Sequence, residues 1–282
     1  MSVVKKIILF TAVLLWAVPG YCAAHDYRRI VSLGPQLTEA LYLLSADDRL
    51  IADTVYCTRP PEAKAKEKVG NVVEVSVEKI VVLKPDIVLA TGLTNKNAVI
   101  KLKSLGIEVR VFRQPQDFSQ ICQQFSELGD IVGKPELAGV IINSSRQRVE
   151  KVRARAAKLR KVKVFVQIGA DPLVTVRSKD FINDLVESAG GANVAKDLPG
   201  IILSRESVLA WAPEYIFIVD MGLSGDQERK AWLKFNTISA KGPDAIRLFD
   251  SYELCSPTPV VFADTLEKIA RILHPANEAK DD

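Results

Sequence analysis

Two carboxylates carry the clearest chemical signal in this chain, because each sits in the same local frame. The run Ser76-x-Glu78-x-Ile80-Val81-x-Leu83-x-Pro85-Asp86-Ile87-Val88-Leu89 returns as Ser204-x-Glu206-x-Val208-Leu209-x-Trp211-x-Pro213-Glu214-Tyr215-Ile216-Phe217. In each copy the Ser can cap a short helix, and the Glu falls in its first turn, where the helix macrodipole favours negative charge. The Pro ends the helix, and the acid after it leads into an apolar strand. A Gly-Leu pair, Gly92-Leu93 and Gly222-Leu223, follows in both copies. The period is far longer than the roughly 20–50 residues of a solenoid repeat, so it marks two similarly built lobes. Carboxylates placed alike on two lobes suit ion pairing with a two-fold symmetric partner. The plainer reading is two ordinary helix-start acids.

Catalytic chemistry finds little support. His25 lies near the start of the exported chain and His274 at the end of the last predicted helix. No Gly-x-Ser-x-Gly elbow, phosphate-binding glycine loop or GxGxxG stands at a strand-to-helix turn. Zinc or manganese centres usually need several His ligands, so no metal site and no cofactor are expected, and the chain reads as no enzyme. Cys122 lies among Phe118, Ile121, Phe125 and Leu128 on an amphipathic helix and reads as core. Cys57 and Cys255 are able to pair in an oxidising compartment, a question that spacing leaves open.

Residues 1–24 read as an export signal. Lys5 and Lys6 precede an apolar run from Ile7 to Val18, Pro19-Gly20 breaks it, and Ala23-Ala24 supplies small residues. The run is shorter than the ~20 residues a bilayer span needs. The expected location is the periplasm, with a lipid anchor through Cys22 as the alternative. Roughly 258 residues remain, enough for two domain-sized lobes. The formal net charge is only +4, and hydrophobic residues make up 48% of the chain. The basic excess gathers between Arg146 and Lys163, on a long predicted helix with Val149, Val152, Ala156 and Leu159 along its other stripe. That run reads as a solvated helix face, with no nucleic-acid partner.

Near-continuous apolar strands alternate with helices, the pattern of parallel sheets covered on both faces. The first strand, Arg29–Leu33, turns at Gly34-Pro35 into a helix over Gln36–Leu44. Leu50–Thr54 and Ile107–Phe112 are further strands. From Pro135 to about Leu159 no linker composition appears, so one helix on the order of 35 Å long is expected to bridge the lobes. Beyond it, Val162–Ile168, Tyr215–Val219 and Ile246–Phe249 read as strands. Phe181–Ser188, Glu206–Trp211, Glu228–Phe235 and Val260–Leu273 read as helices. The fold class is therefore α/β, two pseudo-symmetric lobes with parallel central sheets bridged by one long helix. The divisions fall at residues 25–134, 135–160 and 161–282.

The opening Arg29-Ile30-Val31-Ser32-Leu33-Gly34-Pro35-x-x-Thr38-Glu39, the loop Tyr56-x-x-x-Pro60-Pro61-x-Ala63 and the two Ser-x-Glu units together carry a family likeness. The chain resembles the substrate-binding proteins of ABC importers for cobalamin, haem and ferric siderophores, the class III periplasmic binding proteins, and is nearest their cobalamin-binding branch. The resemblance covers the whole exported chain. It implies a small-molecule chelate or corrinoid ligand, a permease dimer in the inner membrane as partner, and a monomer. It also implies that Glu78 and Glu206 pair with arginines on the two permease subunits. An exported scavenger of a chelate, working without an importer, is the competing reading.

Tyr56 matches an aromatic cleft residue of that branch and Asp250 a polar contact. The tryptophans that would line a corrin pocket are replaced by Val72, Thr91 and Gly200, and an arginine expected four residues after Asp250 is Leu254. Arg59 and Arg177 fall on loops expected to face the cleft, where either could pair with a carboxylate or phosphate. The expected lining is Ser32, Gly34, Pro35, Tyr56, Arg59, Thr91, Arg177 and Asp250, at the strand ends where open α/β sheets place ligands. Cobalamin is the leading ligand, with a ferric siderophore or haem as the alternative.

Overall fold

The structure, a computed structural model, describes residues 27–220, 225–235 and 242–275. The leader with Cys22 and the Gly222-Leu223 pair lie outside the described residues. The first lobe runs β1 (Ile30–Ser32), α1 (Pro35–Leu43), β2 (Leu50–Asp53), β3 (Glu67–Lys68), α2 (Val77–Leu83), β4 (Ile87–Thr91), α3 (Lys96–Ser104), β5 (Glu108–Phe112) and α4 (Phe118–Ile131). Its sheet has the order β3-β2-β1-β4-β5, with every pair parallel. The strands read as continuous apolar runs because both faces are covered. Along β4, Ile87 and Leu89 point into one core and Val88 and Ala90 into another.

One helix, α5 (Pro135–Ala156), follows as a single run of 22 residues with Pro135 at its start. It packs against α4 of the first lobe and against α6 (Phe181–Ser188) and α10 (Pro259–Leu273) of the second. Its Ala138, Ile142, Val149 and Val152 belong to a core that also takes in Leu89 of β4 and Phe217 of the second lobe. A shared core of this kind makes a stiff joint.

The second lobe adds β6 (Val162–Gly169), β7 (Leu173–Thr175), β8 (Gly191–Asn193), β9 (Ile202–Leu203), α7 (Arg205–Ala210), β10 (Tyr215–Asp220), α8 (Gly225–Leu233), β11 (Ile246–Asp250) and α9 (Ser251–Cys255). Its sheet is mixed, which corrects the expectation of two parallel sheets. β11, β10, β6 and β8 pair in parallel, but β7 runs antiparallel to β6 and β9 antiparallel to β7. Only a tight turn separates Gly169 from Leu173, whereas a parallel crossover takes a dozen or more residues, so β7 has to reverse.

The sequence repeat is a repeated joint in space. Ser76 accepts from the Lys79 amide and Ser204 from the Ser207 amide, capping α2 and α7. Lys84 and Ala212 then adopt left-handed backbone, φ 48° and 49°, directly before Pro85 and Pro213. The acid after each Pro ties the unit to the neighbouring strand. Asp86 accepts from the Arg28 and Arg29 amides at 2.7 and 2.8 Å, and Glu214 from the Lys163 amide at 3.2 Å. In return the Arg29 guanidinium donates to the Leu83 and Lys84 carbonyls, and Lys163 Nζ to the Trp211 carbonyl.

The basic run is more than a solvated face. Arg148 pairs with Asp264 and Glu267 of α10, Arg153 with Asp184 of α6, and Arg160 with Glu214 before β10. These arginines fasten the bridging helix and its exit to the second lobe.

Candidate ligand cleft and docking surface

Parallel strands place the loops that follow them along one edge of each sheet, and the expected site residues divide there into three groups. Ser32, Gly34 and Thr91 form a buried floor. The Ser32 hydroxyl donates to the Gly34 carbonyl and lies 2.9 Å from the Thr38 hydroxyl, which is 3.2 Å from Cys57 Sγ. Thr91 Oγ1 accepts from the Leu93 amide. A Cβ on Gly34 would collide with Thr91 Cγ2, so the glycine permits the first turn to pack on the end of β4. Ser32 is fully buried and Thr91 is 5% exposed, so both hold the floor's shape from below. Pro35 is half-buried at the start of α1.

Tyr56, Arg59 and Asp250 meet at the junction of the lobes. Tyr56 is 59% exposed. The loop carrying it is gripped by Tyr252 of α9, whose hydroxyl donates to the Tyr56 carbonyl at 2.9 Å. The same hydroxyl accepts from the Thr58 and Arg59 amides at 2.6 and 3.0 Å. The Arg59 guanidinium lies 4.9 Å above the Tyr252 ring and 3.9 Å from Asp250 Oδ1. Asp250 caps α9 by accepting from the Tyr252 amide, while Glu253 accepts from the Asp250 amide. Sequence reasoning passed over Tyr252. The Asp250-x-x-Glu253 spacing, a capping-box pattern, was the available signal for a helix start there.

Beneath this junction, burial perturbs two carboxyls. Glu39 on α1 has a buried Oε2 without a hydrogen-bond partner. Burial pushes its pKa up to about 7, opposed by the charge of Arg59 and reinforced by Asp264. Asp53 at the end of β2 is fully buried with Lys68 Nζ 2.6 Å from Oδ1, and burial still lifts its pKa to about 6. Burial also pushes the thiols up, Cys122 and Cys255 to about 11. The described cysteines are all free.

On the second lobe Arg177 is exposed, its guanidinium donating to the Pro199 carbonyl and its amide to Asp180. Gly200 has open space where a side chain would stand. Exposed aliphatic residues lie on loops at Val55, Val73 and Leu93 of one lobe, and at Ile201 and Ile202, at the start of β9, on the other. Near the end of β6, buried Gln167 accepts from Trp232 Nε1 and donates to Glu228. Glu228 also holds Arg205, whose guanidinium lies 4.8 Å above the Trp232 ring.

Glu78 and Glu206 stand exposed in the first turns of α2 and α7, while Ile80 and Val208 two residues on are buried. Hydrogen bonds from its own amide and from Ser204 hold the Glu206 carboxyl below its usual range. Both carboxylates are thus presented to solvent from equivalent capped turns of their lobes. Among the described residues, no group of His, Cys, Asp and Glu is arranged to hold a metal ion, and no helix is long and apolar enough to cross a membrane.

With this geometry the chain is similar to proteins of known kind. It is 28% identical over 249 residues to the vitamin B12-binding protein of Vibrio cholerae, covering 87% of this chain and 89% of that protein. The crystal structure of the periplasmic vitamin B12-binding protein of that organism superposes with a TM-score of 0.76 at 27% identity, covering 90% of this chain and 99% of the other. An ABC transporter substrate-binding lipoprotein of Bacillus subtilis is 29% identical over 220 residues, 75% of this chain and 70% of that protein. The fold is also that of the periplasmic haem-binding protein of Roseiflexus sp. RS-1, with a TM-score of 0.78 at 21% identity over 89% of this chain and 99% of the other. Residues 30–239 match the periplasmic binding protein family, and the chain belongs to it.

Proposed function

We propose that the chain is the extracytoplasmic substrate-binding component of an ABC importer. It captures cobalamin or a related corrinoid between its lobes and hands it, chemically unchanged, to a permease dimer in the inner membrane. The observation that carries this reading is the pair of capped Ser-x-Glu turns, which present Glu78 and Glu206 alike on two stiffly joined lobes. Such a pair fits a partner with two-fold symmetry, each carboxylate meeting a cation on one subunit. In this reading residues 1–24 are removed on export and the chain works in the periplasm as a monomer, or stays tethered through Cys22. The likeness to the vitamin B12-binding protein along most of the chain supports a corrinoid.

A ferric siderophore or haem is the second reading, and within it the cleft rim favours the siderophore. Tyr56 is the exposed aromatic of that rim, the other large exposed residues named there are aliphatic, and Gly200 leaves open space. A macrocycle draws much of its affinity from aromatic faces, so such a rim also suits a less planar or differently shaped chelate. The test is to purify the exported protein from its native host and identify the bound molecule by absorption and mass spectrometry. A corrin spectrum confirms the first reading, an iron chelate or haem the second, and an empty protein that binds neither in titration overturns both.

A further inference from the structure

Three backbone groups in the middle of the Tyr56 loop are satisfied from the opposite lobe. Its start is tied within its own lobe, Val55 donating to the Gly70 carbonyl and Cys57 to the Thr54 carbonyl. Its end is tied there as well, through Ala63 to the Pro60 carbonyl and through Lys68 Nζ to the Ala63 carbonyl. Between these anchors the Tyr56 carbonyl and the Thr58 and Arg59 amides converge on the Tyr252 hydroxyl. A phenol offers one donor and two acceptor sites, and all three are filled here. Tyr252 is itself immobilised. It is 6% exposed, its amide is held by Asp250, and its ring lies under Arg59.

We propose that Tyr252 is a positioning residue for ligand binding, a side chain of the second lobe that sets the conformation from which the first lobe presents Tyr56. The inference rests on the reading of Tyr56 as a ligand face. Because three backbone groups flanking the Tyr56 side chain are fixed through one oxygen, the direction of that ring depends on the packing of α9. Removing the oxygen alone leaves the ring, its burial and the Arg59 contact in place, so Tyr252→Phe isolates the role.

The test uses the full exported chain and three probes, cyanocobalamin, hemin and a ferric hydroxamate siderophore. In Tyr252→Phe the Thr58 and Arg59 amides should exchange with solvent several-fold to about tenfold faster, the factor equivalent to one lost buried hydrogen bond. Affinity for whichever probe binds should fall by several-fold to about tenfold. Combined with Tyr56→Ala, which removes the presented ring, Tyr252→Phe should cost nothing further, the non-additivity expected of one coupled unit. Unchanged exchange at Thr58 and Arg59 overturns the proposal. So does faster exchange with unchanged affinity, and so do losses that add in the double variant. If Tyr56→Ala leaves binding intact, or none of the three probes binds, the ligand reading fails instead. Faster exchange then still supports the loop-setting role.

Discussion

The Arg59 guanidinium lies over the Tyr252 ring, 4.9 Å from its centre, although the two residues belong to different lobes. Arg59 is thus engaged at the joint, with Asp250 3.9 Å away, whereas Arg177 faces solvent beside the Pro199 carbonyl. Two arginines that look equivalent in the sequence therefore have different roles. Arg59→Ala should lower stability by about 0.5–1 kcal/mol, the range for a partly exposed cation–π contact. Arg59→Lys should recover little of it, because an ammonium does not stack on a ring as a guanidinium does. Arg177→Ala should fall within about 0.5 kcal/mol of the parent. Denaturant unfolding decides this, and equal losses at both sites would contradict the assignment.

Glu39 gives the protein a pH-dependent weakness. Its unfolded pKa is near 4.5 and its folded value about 7, chiefly through burial. Below pH 4.5 both states hold the proton and nothing is lost. As pH rises from about 4.5 to 7 the unfolded chain releases it first, so stability declines across that window and levels off above it. At about 1.4 kcal/mol per unit the loss approaches roughly 3 kcal/mol. Glu39→Gln should be neutral near pH 4 and stabilising near pH 8, flattening the curve of melting temperature against pH. An unchanged slope would show that the carboxyl ionises without cost.

How far the sequence reveals this molecule depends on the distance over which each feature is determined. Strand and helix alternation, the caps at Ser76 and Ser204, and the uninterrupted helix from Pro135 are local properties and were legible. The repeated acids Asp86 and Glu214 were visible, but their use was not. That required knowing that β1 lies beside β4 and β6 beside β10, so that the acids meet the backbone of Arg29 and Lys163. The reversal of β7 was missed because its three residues carry no periodicity to read. That Ser32 and Thr91 end strands was legible, but their burial was not, because it depends on how closely the turn at Gly34 packs on the end of β4. Tyr252 was missed for the most general reason, since its partners lie far away in the chain and only the packing of two lobes brings them together.

Glu228 bridges Arg205 and Gln167 with limited solvent access, its side chain 14% exposed and that of Arg205 23%. Glu228→Ala strands a half-buried guanidinium and the Gln167 amide. Removing one partner of a fully buried pair costs about 3–5 kcal/mol, and partial exposure here reduces that to roughly 2–3 kcal/mol. For a chain of this size the melting temperature should fall by roughly 5–10 °C. Glu228→Gln keeps an acceptor oxygen and should lose less than half as much. Equal effects of the two variants would mean that the hydrogen-bond acceptor contributes nothing.

Docking is the step that Glu78 and Glu206 are proposed to serve, and their exposure makes the expected pattern specific. An exposed ion pair contributes only about 0.2–1 kcal/mol, so a single Glu78→Lys or Glu206→Lys change should weaken transport modestly. Reversing both places two cations against two cationic patches, and the repulsion adds to the lost attraction at each end of the interface. The double variant should therefore abolish uptake in cells expressing the permease, while its affinity for ligand in solution stays within about twofold of the parent. Its melting temperature should also hold, since neither carboxylate packs against the core and the Ser76 and Ser204 caps remain. Normal uptake by the double variant would remove these acids from the docking surface. Loss of uptake together with loss of ligand affinity would place them at the cleft instead, because a purely external contact leaves solution binding untouched.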